Sequence, residues 1–108
     1  MSSVSGDGPT FELGQVQRLV RIGQWTHTYR AARDAAELRF DRVDIRECVL
    51  GLGPDDFFRT AESRTEPGTM QDAYKPVYCG VELYVKLQIS SKSLVVVISF
   101  HSWMGILR

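Results

Sequence analysis

The chain of 108 residues has the length of one domain, and 44% hydrophobic with 24% charged residues are ordinary values for a folded globular protein. Thirteen basic and thirteen acidic residues give a formal net charge of zero, so the composition alone gives no sign of nucleic-acid binding. No run of about eighteen apolar residues predicts a membrane span, and the polar start lacks the apolar segment of a signal peptide, so we expect a cytoplasmic protein.

The charges are unevenly distributed along the chain. Seven acidic residues lie between residues 34 and 56, against three arginines, whereas residues 57–108 carry six lysines and arginines against four acids. Such a distribution permits a basic face on a protein without net charge. Solvated helix surfaces are the simpler explanation when charge alone is considered, so both interpretations stay open.

The chain begins with a predicted disordered arm over residues 1–10, which are small, polar and Gly-rich. A single domain is predicted over residues 11–101, followed by a C-terminal tail over 102–108. Apolar residues recur at spacings of three and four over 11–24, which indicates an amphipathic helix that Gly23 ends.

Three further helices are predicted in the first half of the domain. Residues 28–40 are Ala-rich and have high helix propensity, with Thr28 as the candidate N-cap. A helix is also expected over 41–53. A short one is expected over 54–62, because Pro54 followed by two acidic residues suits a first helical turn.

The second half of the domain has the pattern of an antiparallel sheet. A Pro-Gly pair predicts a loop over 63–70. Residues 77–89 alternate between apolar and polar side chains, and residues 94–101 are apolar on both faces, as in a central strand. This order predicts an α+β protein in which N-terminal helices pack on a C-terminal antiparallel β-sheet.

The hairpin between these two strands determines where His101 lies. A connection with an even number of residues places the apolar side chains of both strands in one core layer. In that register His101 joins Tyr84 and Lys86 on the polar face. It then lies directly opposite Glu82, which would hold the imidazole. A three-residue loop would instead turn His101 toward the core.

A polar face with tyrosine, lysine and histidine suits the cleavage of an RNA phosphodiester. That reaction needs a base for the 2′-hydroxyl, an acid for the leaving 5′-oxygen and cations for the charge that develops on the phosphate. Histidine can fill either proton role near neutral pH. The simpler reading is that a Tyr–Lys pair on a solvent-facing strand and a histidine at a strand end are ordinary surface features.

The cysteines and histidines do not predict a metal site. Cys48 and Cys79 lie far apart in sequence, and neither forms a close ligand pair with His27 or His101. A disulfide is not expected in a chain without a secretion signal. We therefore expect no metal or other cofactor, two buried thiols, and His27 at the surface after the first helix.

Four stretches of the sequence resemble the MqsR family of bacterial toxins. They are QVQRLVRIGQ (15–24), GLGPDDFFRT (51–60), MQDAYKPVYCGVELYVK (70–86) and LVVVISFH (94–101). The most specific part is the spacing of the Gln, Asp, Tyr and Pro residues between 71 and 76, ahead of the strand that carries Tyr84. The resemblance covers about residues 13–101 and ends before the tail.

The resemblance implies a compact α+β fold similar to that of the RelE and YoeB ribonucleases. It also implies an mRNA interferase, the toxin of a type II toxin–antitoxin system, which cuts mRNA at short specific sequences without a metal ion. Its expected partners are the mRNA substrate and a cognate antitoxin protein. Whether the ribosome is also a partner stays open, because the chain lacks the basic character of better-known members.

Carried over by position, the family's site implies four catalytic residues in this chain. Gln71 and Tyr84 match the family, whereas Arg59 and His101 stand where the family has lysines. Arg59 keeps the positive charge but cannot act as a base. His101 provides a titratable group for proton transfer. The further residues expected to bind RNA are Lys86, Lys75 and Arg64.

Two alternatives to an active ribonuclease stay open. One is a non-catalytic interaction module on the same fold, in which Arg59 and His101 mark a lost active site. The other is a domain that binds RNA without cleaving it. Phe57 and Phe58 are expected to be core and rim residues, and Trp103 begins an apolar tail that packs on the sheet or contacts a partner.

Overall fold

A computed structural model describes residues 8–104 as three helices and six strands. The elements are α1 (Leu13–Arg21), β1 (Trp25–His27), α2 (Tyr29–Glu37), α3 (Arg42–Leu50), β2 (Phe57–Glu62), β3 (Met70–Tyr74), β4 (Val77–Tyr78), β5 (Val81–Ile89) and β6 (Val95–Ser102). The strands follow the order β1-β6-β5-β3-β2, and β4 pairs with β5. Within the described strands, β1 and β6 are parallel and the other pairs are antiparallel. The predicted α+β class is confirmed.

The three helices form where they are predicted but are shorter, and three of their ends have clear capping chemistry. Gly23, with φ +88°, follows α1 in the left-handed conformation that glycine adopts without strain. Thr28 Oγ1 accepts a hydrogen bond from Ala31 N at 3.0 Å and so caps α2. Asp41 and Asp44 form a reciprocal capping box at the start of α3. No described helix has the length and apolar character needed to cross a membrane.

The sheet has two faces with different neighbours, which we call the core face and the cleft face. Apolar residues of the helices and of the core face form one buried cluster; they include Val16, Val20, Ala31, Ala35, Ile45, Val49, Leu83, Val85, Leu87, Val97 and Phe100. On the cleft face, β5 carries Tyr84, Lys86 and Gln88, and surface clefts border these side chains. The alternation along β5 that the sequence predicts is therefore confirmed.

Two parts of the sheet contradict the prediction. The expected helix over 54–62 is a single 3₁₀ turn, Pro54–Asp56, followed by β2, because the residues after the turn pair with β3 instead of continuing the helix. Strands of the sheet therefore occur well before residue 77, where the first strand was expected. β1 is only three residues long, too short to show an alternation, and it places His27 in a strand beside β6 and not at the end of a helix.

The hairpin between β5 and β6 also differs from the predicted register. Ser90 N donates to Leu94 O at 2.8 Å, which leaves a loop of three residues, and Ser93 adopts φ +57° there. Lys86 pairs with Ser99, whereas Leu87 pairs with Val97, so Ile98 forms a β-bulge between them.

The odd loop and the bulge compensate each other on the face where His101 lies. Each shifts the alternation of β6 by one residue, so together they leave His101 on the cleft face with Tyr84 and Lys86. The prediction that His101 lies on the polar face was correct, but its predicted cross-strand partner, Glu82, was wrong. His101 pairs with Tyr84, while Glu82 pairs with Val77 of β4.

The two thiols differ, although both were expected to be buried. Cys48 is buried in α3, and burial raises the pKa of its thiol to about 12. Cys79 is exposed in the two-residue turn between β4 and β5. Cys79 and Gly80 have φ of +50° and +78°, as the two central residues of a type I′ turn require.

The ends of the described chain both contact the sheet. The N–H groups of Thr10 and Phe11 donate to the fully buried carboxylate of Asp72 at 2.9 and 2.8 Å. Trp103, at the other end, packs against aromatic residues of the cleft face. Residues 1–7 of the predicted arm and 105–108 of the predicted tail lie outside the described residues.

Candidate active site

A cleft of about 550 Å³ lies on the cleft face and brings together most of the predicted site. Its lining includes Arg59 of β2, Gln71 of β3, Tyr84 and Lys86 of β5, and Arg64 from the β2–β3 connection. Arg30 of α2 completes this lining from the helical side. We call it the cationic cleft.

The cationic cleft concentrates positive charge. Burial lowers the pKa of Lys86 below its ordinary value, and the neighbouring positive charges of Arg64, Arg59 and Arg30, in that order, lower it further. The ion pairs formed within residues 8–104 join Arg33 to Asp34 and Arg46 to Glu47. None of the four cleft cations forms an ion pair within residues 8–104. Glu62, the acidic residue of the lining, instead accepts the N–H of Gly68, so the cations favour an anionic ligand such as a phosphate.

Gln71 is held in place by a second glutamine. Its side-chain Nε2 donates to Gln88 Oε1 at 2.8 Å, and both side chains are buried. The bond fixes the carboxamide of Gln71 on the cleft face, where it lines the cationic cleft. Gln88 was not among the predicted site residues, although the alternation along β5 places it in line with Tyr84 and Lys86.

His101 lies next to the cationic cleft and not within its lining. Its ring stacks on that of Tyr84, with centroids 5.2 Å apart and an interplanar angle of 25°. His101 lines a second cleft, of about 430 Å³, together with Ser99 and residues of α2. Arg30 borders both clefts. The stacked ring of Tyr84 and the side chain of Arg30 therefore connect His101 to the cations.

A backbone carbonyl group determines which nitrogen of His101 is available for proton transfer. His101 Nδ1 lies 3.0 Å from Ser102 O. A carbonyl oxygen only accepts hydrogen bonds, so in the neutral ring Nδ1 carries the proton and Nε2 keeps its lone pair. The expected contact with Glu82 is absent from the described structure, because Glu82 belongs to the β4–β5 hairpin.

Lys75 lies at an aromatic group and not among the cations of the cleft. Its Nζ is 3.9 Å from the ring centroid of Trp103 and 4.7 Å from that of Phe58. Phe58, Tyr84 and Trp103 also contact one another. The structure therefore separates Lys75 from Arg64 and Lys86, although all three were expected to bind RNA.

Arg30 has no recognisable sequence signal. It lies on an Ala-rich helix, and nothing in its spacing indicates that α2 runs along β6, where the helix brings Arg30 to the clefts. Trp103 was expected to pack on the sheet or to contact a partner, and the structure places it on the sheet beside Tyr84.

The chain matches a family of known proteins over most of its length. The family described as "Motility quorum-sensing regulator, toxin of MqsA" matches residues 8–102. The chain belongs to the MqsR toxin family. The mRNA interferase toxin MqsR of Escherichia coli (strain K12) is 30% identical over 88 residues, which cover 82% of this chain and 90% of that relative. The resemblance noted in the sequence is thereby confirmed.

The match to the MqsR family has a boundary inside the cleft face. All residues of the cationic cleft and His101 fall within the matched range, whereas Trp103 is the first residue after it. The cations, Gln71, Tyr84 and His101 therefore belong to the shared part of the chain. Trp103 adds an aromatic side chain next to that part.

Proposed function

We propose that this MqsR-family chain is the toxin of a type II toxin–antitoxin system that inhibits translation by cutting mRNA at short specific sequences without a metal ion. The observation that carries the proposal is the cluster of four cations, none of them in an ion pair within the described residues, beside the stacked rings of Tyr84 and His101. Family membership supports the toxin, and the name of the Escherichia coli relative supports mRNA as the substrate.

The proposed reaction is an internal transesterification of RNA. The 2′-oxygen forms a bond to the adjacent phosphorus as the bond from phosphorus to the 5′-oxygen breaks. A base takes the proton from the 2′-hydroxyl, and an acid gives a proton to the 5′-oxygen. The products are a 2′,3′-cyclic phosphate and a 5′-hydroxyl. Negative charge grows on the phosphate oxygens in the transition state, so nearby cations lower the barrier.

In this reaction His101 transfers one of the two protons through Nε2. The neutral ring accepts a proton at Nε2, and the imidazolium donates one from the same atom, since Nδ1 is bonded to Ser102 O. Tyr84 stacks on the imidazole and fixes its plane beside the cationic cleft. Its hydroxyl group is the second candidate for a contact with the phosphate.

The cationic cleft binds the reacting phosphate and its neighbours. Arg59 and Arg64 present planar guanidinium groups that match the geometry of phosphate oxygens. Burial and the neighbouring arginines disfavour the charged form of Lys86. A phosphate in the cleft reduces the repulsion between Lys86 and these arginines. Gln71, fixed by Gln88, orients the substrate or contacts a base edge.

A cognate antitoxin is the proposed protein partner, as the family description "toxin of MqsA" supports. The net charge of the chain is zero, so long-range attraction of RNA to the whole protein is weak. This leaves room for the ribosome to present the mRNA, and the experiment below includes that arm.

The proposal is tested by incubating the purified chain with a defined mRNA in excess EDTA and mapping both ends of the products. The wild type is expected to cut and to leave cyclic phosphate and 5′-hydroxyl ends. His101→Ala removes the proton carrier, so cleavage should slow by about 10²- to 10⁴-fold. His27→Ala is the matched control. Because His27 lies in β1 beside Trp25, this variant should cut at the wild-type rate.

The outcomes separate the remaining functions. If the wild type cuts and His101→Ala cuts equally well, the role of His101 is wrong and the ribonuclease remains. If the wild type leaves free mRNA intact, the same assay is repeated on translating ribosomes. Intact mRNA in both settings would overturn the ribonuclease and support the non-catalytic binding module.

A further inference from the structure

An aromatic cluster extends the cleft face beyond the cationic cleft. We define it as Phe58 of β2, Tyr84 of β5 and Trp103, which follows β6 directly. The ring centroids of Phe58 and Trp103 are 5.2 Å apart at 81°, and those of Tyr84 and Trp103 are 6.1 Å apart at 30°. The cluster therefore gathers side chains from three separate parts of the sequence at one place.

The cluster adjoins the cationic cleft through two contacts. Tyr84 belongs to the cluster and also lines the cleft. Arg59, another cleft residue, holds its guanidinium carbon 5.6 Å from the ring centroid of Phe58. A ligand that occupies the cationic cleft and continues past Tyr84 would thus meet aromatic rings next.

Two of the three rings reach the surface. Phe58 is 40% exposed, a large exposure for a phenylalanine in a sheet, and Trp103 is half-buried, whereas Tyr84 is buried. Lys75 Nζ lies over the rings of both Trp103 and Phe58, at 3.9 and 4.7 Å. Lys75 is an exposed residue, so a planar ligand can take the place of its ammonium group on these rings.

We propose that Phe58 and Trp103 form a stacking subsite for one nucleobase of single-stranded RNA, next to the phosphate held in the cationic cleft. The proposal rests on the proposed function, because it needs RNA in that cleft. Proteins that bind single strands combine a positively charged groove with aromatic side chains on which bases stack. The cleft face has both parts side by side.

Lys75 has a defined part in this subsite. Base stacking on an aromatic side chain is generally stronger than an exposed cation–π contact. The base therefore displaces the ammonium group from Trp103, and Lys75 then pairs with the phosphate that accompanies the base. This explains how Lys75 contacts RNA although it lies outside the lining of the cationic cleft.

The competing explanation is that Trp103 only packs against the sheet and stabilises the end of β6. The two explanations differ in what they predict for RNA without bases. A packing role affects every RNA ligand equally through the fold, whereas a stacking role affects only ligands that carry a base. The experiment uses this difference.

Binding is measured for two probes that carry the same number of phosphates. Each is about eight nucleotides long, which is within the usual size range of single-strand binding sites. One is a mixed-sequence 2′-O-methyl RNA, which lacks the 2′-hydroxyl needed for cleavage. The other is an abasic chain with the same backbone. The variants are Trp103→Leu, which keeps apolar volume without a ring, Trp103→Phe, and Arg59→Gln as the matched control for phosphate binding.

The wild type should prefer the RNA over the abasic chain by about tenfold, the effect of one stacked base. Trp103→Leu should lose that preference by weakening RNA binding alone, and Trp103→Phe should keep part of it. Arg59→Gln should weaken both probes by the same factor. Thermal unfolding of each variant checks that the fold is retained.

Two results would overturn the subsite: equal binding of both probes by the wild type, or an unchanged preference in Trp103→Leu. The outcome is separate from that of the cleavage assay. Base-dependent binding through Trp103 in a chain that cuts no mRNA would keep the subsite and remove the ribonuclease. Cleavage of mRNA by a chain that binds both probes equally would keep the ribonuclease and remove the subsite.

Discussion

Phe100 and His101 are neighbours in β6, yet their side chains lie on opposite faces of the sheet. Phe100 is fully buried in the core cluster, in edge-to-face contact with Phe40. His101 is partly exposed and stacks on Tyr84 beside two clefts. One face of the sheet therefore provides the packing that stabilises the fold, while the other gathers charged and polar side chains around two clefts.

Charge is distributed unevenly over the structure. The acidic residues between 34 and 56 lie in α2, in α3 and its N-cap, and in the 3₁₀ turn after α3, and two of them, Asp34 and Glu37, line the cleft of His101. The cationic cleft on the cleft face collects Arg30, Arg59, Arg64 and Lys86. A chain of zero net charge thus presents a local positive site, which the sum over the sequence conceals.

The largest expected difference between the faces is in stability. Phe100→Ala should lower the free energy of unfolding by about 3–5 kcal/mol, because it leaves a cavity in the core. His101→Ala should lower it by only about 1 kcal/mol, the order of one aromatic contact. Urea unfolding measures both. An equal loss of unfolding free energy in the two variants would contradict this division between the core face and the cleft face.

A second prediction concerns Asp72, the buried charge on the core face. Its carboxylate accepts the N–H groups of Thr10 and Phe11, so it ties the segment before α1 to β3. Asp72→Asn should destabilise the fold by about 1.5–3 kcal/mol, the usual range for hydrogen bonds to a charged group. It should also speed proteolysis before α1. Unchanged unfolding and proteolysis would show that this segment is held by other contacts.

A third prediction concerns Arg30, which no sequence pattern indicated. If Arg30 contacts a phosphate, Arg30→Gln should lower the slope of log affinity against log salt by about 0.7 for single-stranded RNA. The matched control is Arg46→Gln, since Arg46 pairs with Glu47 on α3, away from the cationic cleft. The same slope in both variants would exclude Arg30 from the RNA path.

The smallest expected effect is the change in thermal stability on replacing Lys86, whose positive charge destabilises the fold but favours RNA binding. Lys86→Met should raise Tm, because it removes a cation whose charged form is disfavoured by burial and by the arginines. Thermal unfolding is a sensitive readout, since about 1 kcal/mol shifts the Tm of such a domain by about 4–8 °C. The same variant should bind RNA more weakly. A lower Tm would contradict this account.

The pH dependence of stability gives a second readout for Lys86. Its pKa is lowered in the folded chain, so between that pKa and the unfolded value of about 10.4 the unfolded chain binds more protons. Stability from this group therefore rises as pH rises through that window, and below it the protonated lysine destabilises the fold. The rise should be absent in Lys86→Met.

Much of this architecture follows from local sequence signals. Thr28 and Gly23 mark helix ends through their own chemistry, and the sequence predicts both correctly. The alternation along β5 likewise predicts which of its side chains meet the core. These features depend on a few neighbouring residues, so a single sequence contains the information needed.

The features that the sequence did not predict depend on distant partners. The residues after Pro54 form β2 because β3 pairs with them, and the bulge at Ile98 exists only as a mismatch between two strands. His101 was placed on the correct face only because the bulge and the odd loop compensate. Arg30 reaches the site through the packing of α2 on β6.

The most direct test of the central claim, proton transfer by His101 beside the cationic cleft, is the pH dependence of single-turnover RNA cleavage by the wild type and by His101→Lys. Lysine keeps a positive charge at this position but does not titrate between pH 5 and 8, where histidine does. The account predicts a wild-type rate that changes with pH in that range, and a slower and flatter profile for His101→Lys. Identical rates and profiles would show that position 101 supplies only charge and would contradict the claim.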